Sequence, residues 1–88
     1  MKNKVRKNLK EELARTRSEN PRVIIGKNGL TEALFTEISK QLEQEPLIKI
    51  KFLKNYLSEN LEQDIQKICK KTSATFIEKR GRTAILYK

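Results

Sequence analysis

The segment Arg22-Val23-Ile24-Ile25-Gly26-Lys27-Asn28-Gly29-Leu30-Thr31 changes character twice along its length. Its first four positions hold a short β-branched run, which predicts a buried strand over 22–25. Two glycines then bracket Lys27 and Asn28. After them Leu30, Leu34, Ile38 and Leu42 recur four apart, with Ala33 and Phe35 beside them. That spacing predicts a packed helix starting near Leu30 or Thr31 and stopped by Pro46. A strand that feeds a helix through a glycine turn opens a strand-helix-strand unit, and this sets the fold class.

Upstream, Val5, Leu9 and Leu13 form a narrow helical stripe. Arg6, Lys10 and Arg17 line one flank of it, and Glu11 and Glu12 lie on the other side. The expected first helix is amphipathic, with a basic edge, and ends at Asn20-Pro21. Downstream, Ile48, Ile50 and Phe52 alternate with Lys49 and Lys51, the period of a strand whose second face stays partly wet. Leu57, Leu61, Ile65 and Ile68 mark a third helix, with Ser58 as its N-cap, Glu59 in its first turn and Lys70 and Lys71 at its end. Ala74–Lys79 and Thr83–Tyr87 read as two strands joined by the tight turn Arg80-Gly81-Arg82. The expected order is α-β-α-β-α-β-β. The expected fold is an α/β chain of the two-layer α+β kind, with a four-stranded mixed sheet packed on helices. Crossovers through helices favour parallel pairing, and the final hairpin must be antiparallel.

The chain has 88 residues, enough for one domain over 1–88 with a thin core. Hydrophobic residues make up only 36% of it, but their ordered spacing argues for a folded chain. Cys69 is the one cysteine and there is no histidine. An intrachain disulfide is excluded, along with most zinc sites and the Ser-His and Cys-His catalytic arrangements. Cys69, beside Ile68, is expected in the core. We therefore expect no metal, no cofactor, no small-molecule substrate and no enzymatic activity. No apolar run approaches the ~20 residues that span a bilayer. The Lys-rich start has no apolar stretch behind it and carries Glu11 and Glu12, unlike a signal or transit peptide. The expected location is the cytoplasm, away from membranes.

Lys and Arg exceed Asp and Glu by nine. The excess is uneven, with net charges of +5 over 1–22, −2 over 23–47, +1 over 48–69 and +5 over 70–88. If the two ends meet in space, they form one basic face, the footprint of a polyanion binder. The loop Gly26-Lys27-Asn28-Gly29 supplies a place for the anion. Glycines let another backbone come close, and the following helix start offers free N–H groups and a positive dipole end. Lys27 adds a charge and Asn28 a donor. GXXG loops of KH modules clamp nucleic-acid backbone by the same means, although there the loop joins two helices. No dinucleotide fingerprint and no P-loop is present. Glu32, Glu37 and Glu43, set against Lys40, should keep phosphate off the flank of the second helix.

The run Pro21-Arg22-Val23-Ile24-Ile25-Gly26-Lys27-Asn28-Gly29-Leu30-Thr31-Glu32 resembles the signature of the CRM domain, named for chloroplast RNA splicing and ribosome maturation. Leu47-Ile48-Lys49-Ile50-Lys51 and the ending Gly81-Arg82-Thr83-Ala84-Ile85-Leu86-Tyr87-Lys88 fit the same pattern. The resemblance covers nearly the whole chain and is nearest the stand-alone YhbY type. It implies a fold similar to the C-terminal domain of translation initiation factor three. It also implies RNA as partner, with ribosomal RNA during large-subunit assembly as the expected target and a monomer as the acting form. The chain departs from the family at Thr72-Ser73, where a Thr-Gly is usual, and it lacks the basic tail of some members. The expected RNA-binding residues are Gly26, Lys27, Asn28, Gly29 and Thr31, with Arg6, Lys10, Arg17 and Arg22. Few aromatic residues are free for base stacking, so recognition by backbone and shape is expected. The alternative is a DNA- or RNA-coating protein of the Alba kind, which shares a related fold.

Overall fold

The computed structural model describes residues 9–88, so Val5 and Arg6 of the expected first helix lie outside the described residues. The elements are α1 (Leu9–Ser18), β1 (Val23–Ile25), α2 (Glu32–Gln44), β2 (Leu47–Phe52), α3 (Leu61–Thr72), β3 (Thr75–Arg80) and β4 (Thr83–Tyr87). Their order is the one read from the sequence. The strands form one sheet in the order β1-β2-β4-β3. β1 runs parallel to β2, and β4 is antiparallel to both β2 and β3.

Alternation along the strands decides what each face meets. Val23, Ile25, Ile48, Ile50, Phe52, Ala84 and Leu86 point to one side and pack on Phe35, Ile38 and Leu42 of α2 and Ile65 and Ile68 of α3. This is the main core, and its apolar burial is the principal stabilising force. On the opposite face Leu47, Ile85 and Thr16 are also buried, outside that cluster. The cover there is α1, which packs against β2. Lys49 fixes it by donating from Nζ to the carbonyls of Arg17 (2.8 Å) and Glu19 (3.2 Å) at the helix end, where carbonyls lack helical partners. The helices therefore lie on both sides of the sheet. The part of the second face beyond α1 stays open: Lys51 is exposed and Ile24 is 55% exposed.

The start of α3 corrects the sequence reading. Asn60, not Ser58, is the N-cap, its Oδ1 accepting from the Gln63 N–H at 3.2 Å. Ser58 instead donates to Asp64 and accepts the Asn60 N–H. Leu57 lies before the helix and is 90% exposed, and the first-turn acids are Glu62 and Asp64 rather than Glu59. Asparagine caps as well as serine does, and Asn60 directly precedes the apolar stripe.

At the other end of α3, Ser73 adopts the left-handed conformation with φ 58°. That is the position where the resemblance led one to expect glycine. A β-carbon is disfavoured there by about 1 kcal/mol. Ser73→Gly should therefore raise stability by about 1 kcal/mol and Tm by roughly 5 °C, measured by thermal unfolding. An unchanged or lower Tm would mean that the serine side chain compensates.

Candidate nucleic-acid interface

The strand topology gathers the chemistry at one end of the sheet. β1 and β2 both finish there, β3 finishes beside them and β4 starts there, since Lys51 pairs with Thr83 and Thr83 with Arg80. Three connections share this end: Gly26–Gly29, the segment 53–60 and the hairpin turn Arg80-Gly81-Arg82.

The glycine loop closes on itself, with the Gly29 N–H donating to the Gly26 carbonyl at 3.0 Å. The two glycines have different roles. Gly29 has φ 77°, which disfavours any side chain. Gly26 has no such constraint, and a Cβ built there would sit 3.6 Å from Asn55 Oδ1 and Leu53 Cδ1, ordinary contact distances. The side a Cβ would occupy at Gly26 thus faces segment 53–55. Lys27 and Asn28 project into solvent.

Thr31 caps α2, its Oγ1 accepting from the Leu34 N–H at 3.1 Å. Its side chain is thus engaged in holding the helix start, and its carbonyl accepts the Phe35 N–H at 3.1 Å. Glu32, Glu37, Glu43 and Lys40 are all exposed along α2.

A second layer of contacts holds the loop in place. The Leu53 N–H donates to the Ile25 carbonyl at 2.8 Å, and the Tyr56 ring lies below Gly29. Tyr56 is buried against Phe52, with ring centroids 5.1 Å apart, and donates its hydroxyl to Asp64 at 2.8 Å. Burial, then that bond, push the Tyr56 phenol up to about 12, so it stays a neutral donor. Arg82 ties the segment down. Its Nε donates to the Phe52 carbonyl at 3.0 Å, and its Nη2 donates to those of Leu53 (2.7 Å) and Tyr56 (2.8 Å).

The other expected contacts are dispersed. Arg17 is held in a two-pronged pair by Glu78 of β3, at 2.9 and 2.7 Å. That hydrogen bond raises the Arg17 guanidinium and holds the Glu78 carboxyl below the usual carboxylate range. Arg22 precedes β1, so it lies roughly 13 Å along the strand from the loop. There it meets Gln41 (3.4 Å) and Glu45 (4.0 Å) near the end of α2. Lys10 is exposed at the start of the described part of α1, and Arg6 lies outside the described residues. Sequence reading missed Lys51, Lys54 and Arg80, which share the loop's end of the sheet. The signal was the basic excess of 70–88 and the second-face position of Lys51.

Cys69 is half-buried against the core, and burial pushes its thiol up, away from the reactive thiolate. Among the described residues no group of three or more His, Cys, Asp and Glu is arranged to hold a metal ion. No described helix is long and apolar enough to cross a membrane.

The model of the CRS1/YhbY (CRM) domain matches this sequence over residues 1–88. The chain belongs to the CRM domain family. The resemblance carried by its three separated segments thus holds along the whole length. A curated relative, an RNA-binding protein of Haemophilus influenzae, is 35% identical over 69 residues, covering 78% of this chain and 69% of that protein. The CRM fold is also similar to the solution structure of a hypothetical Staphylococcus aureus protein described as a candidate RNA-binding protein. The two agree with a TM-score of 0.73 at 22% identity, over 93% of this chain and 84% of the other.

Proposed function

We propose that this CRM protein is a non-catalytic RNA-binding protein that holds the phosphate backbone of structured RNA in the Gly26–Gly29 loop. The observation that carries the reading is the loop itself. It is a side-chain-poor turn with Lys27 and Asn28 exposed, set against a capped helix start and held from below by an Arg82-pinned segment. Free amides, a helix dipole and one lysine suit a phosphate group. The family and the RNA-binding name of the curated relative support RNA as the polyanion. The target we favour is ribosomal RNA during large-subunit assembly, bound by a single copy of the chain without cofactor. Lys10 and Arg6, on the basic edge of the N-terminal segment, are the further contacts this reading assigns.

Backbone recognition has a clear signature in salt. Each phosphate neutralised contributes roughly 0.7–0.9 to the slope of log affinity against log salt. With about three phosphates held, a fourfold rise in salt should weaken binding to a folded fragment of large-subunit ribosomal RNA roughly thirtyfold. Fluorescence anisotropy across a salt series measures this. A change below about twofold would contradict electrostatic backbone recognition.

A further inference from the structure

The open part of the second sheet face carries a row of four residues, one from each strand. Ile24 pairs with Lys51, Lys51 with Thr83 and Thr83 with Arg80. All four lie on the side opposite the main core. Ile24 alternates with the buried Val23 and Ile25, and Lys51 with Ile50 and Phe52. Thr83 alternates with Ala84, and Arg80 reaches back to Glu78 two residues away at 3.6 Å. The row spans roughly 14 Å, three inter-strand spacings of ~4.8 Å. Its β1 end, Ile24, is two residues from Gly26.

Charge is sorted across the sheet. The acids near this end are Glu32, Glu62 and Asp64 of α2 and α3, on the other side, and Glu59 of segment 53–60, which lines one hollow with Asn60, Gln63 and Asp64 of the α3 start. Among the described strand residues on the open side, the acid is Glu78, and Arg17 satisfies it with a two-pronged pair. Arg80 keeps a side chain 70% exposed, and Lys51 is exposed. Positive charge therefore runs from Lys27 at the loop onto this face, where the strand acid, Glu78, is shared between Arg17 and Arg80. A polyanion leaving the loop finds two cations, a hydroxyl and an exposed aliphatic surface in line.

Resting on the reading of the loop as an RNA seat, we infer that the row Ile24-Lys51-Thr83-Arg80 is a second RNA-binding surface. It takes the sugar-phosphate strand that continues from the Gly26–Gly29 loop across the open sheet face. Lys51 and Arg80 pair with phosphates, and Ile24 packs on a ribose or base edge. Arg17 acts as a positioning residue that keeps Glu78 from repelling the strand.

The test compares two double variants on the full chain with the same folded ribosomal RNA fragment. Lys51→Ala with Arg80→Ala should weaken binding about tenfold and lower the salt slope by roughly 1.5, with Tm unchanged. Lys40→Ala with Lys67→Ala removes the same charge from the outer surfaces of α2 and α3 and should stay within about twofold. Ile24→Glu, which removes nothing from the core, should also lose about tenfold through repulsion. Equal losses in the two double variants would show an effect of net charge alone and overturn the row. So would unchanged binding of the Lys51/Arg80 variant while Gly26→Asp still loses affinity, a result that leaves the loop reading standing. No RNA binding by the unaltered chain would overturn the functional reading, and the row with it.

Discussion

Arg82→Ala is expected to destabilise the protein by about 3 kcal/mol and to lower Tm by roughly 15 °C. Few single side chains in a chain this small carry so much. The Arg82 guanidinium donates to three carbonyls, those of Phe52, Leu53 and Tyr56, at 2.7–3.0 Å. Hydrogen bonds from a charged donor contribute about 1.5–3 kcal/mol each, and part of this is recovered as water reaches the freed carbonyls. The loss is not confined to stability. Segment 53–56 underlies Gly26 through Leu53 and Asn55 and Gly29 through Tyr56, so loosening it should also loosen the loop. Arg82→Lys keeps the charge but not the planar fork, and should restore less than half of the lost stability. Thermal unfolding of the two variants tests this. A fall below about 3 °C for Arg82→Ala would show that the three bonds are replaced at little cost.

The sequence alone carried the element order because each element has its own period. The recurrence of Leu30, Leu34, Ile38 and Leu42 suits a helix because in a strand Glu32, Thr36 and Lys40 would share their face, and the Lys49/Lys51 alternation suits a strand. β4 was read at its observed bounds, and β1 and β3 within one residue at each end. The cap of α3 was misplaced because Ser58 and Asn60 are both good caps, and the choice turns on Ser58 being taken by Asp64, a contact made only in the fold. The loop was legible because glycine spacing is local. The placement of the basic residues was not. Arg17 meets Glu78, 61 residues away in sequence, and no pattern within α1 announces that partner. Likewise Arg80 and Arg82 sit in one turn, yet one faces the open sheet and the other pins carbonyls beneath the loop. Charge counting treats them alike.

The second large effect concerns the loop itself. Gly26→Asp should weaken RNA binding by about 2 kcal/mol, roughly thirtyfold, while leaving the fold intact. Gly26 suits this experiment better than Gly29. A side chain at Gly29, with φ 77°, adds backbone strain and mixes folding with binding. At Gly26 the new Cβ meets its neighbours at ordinary contact distances of 3.6 Å. The carboxylate then adds a negative charge between the loop and segment 53–55, close enough to repel a phosphate held by the loop. Gly26→Ala adds the Cβ without the charge and should lose only a fraction of the affinity, separating close approach from repulsion. The decisive measurement is the affinity of Gly26→Asp for folded ribosomal RNA against that of the unaltered protein, with Tm confirming that both are folded. A loss of roughly thirtyfold at unchanged Tm is the predicted result. Binding within about twofold, by a variant that is still folded, would show that RNA is held somewhere other than this loop.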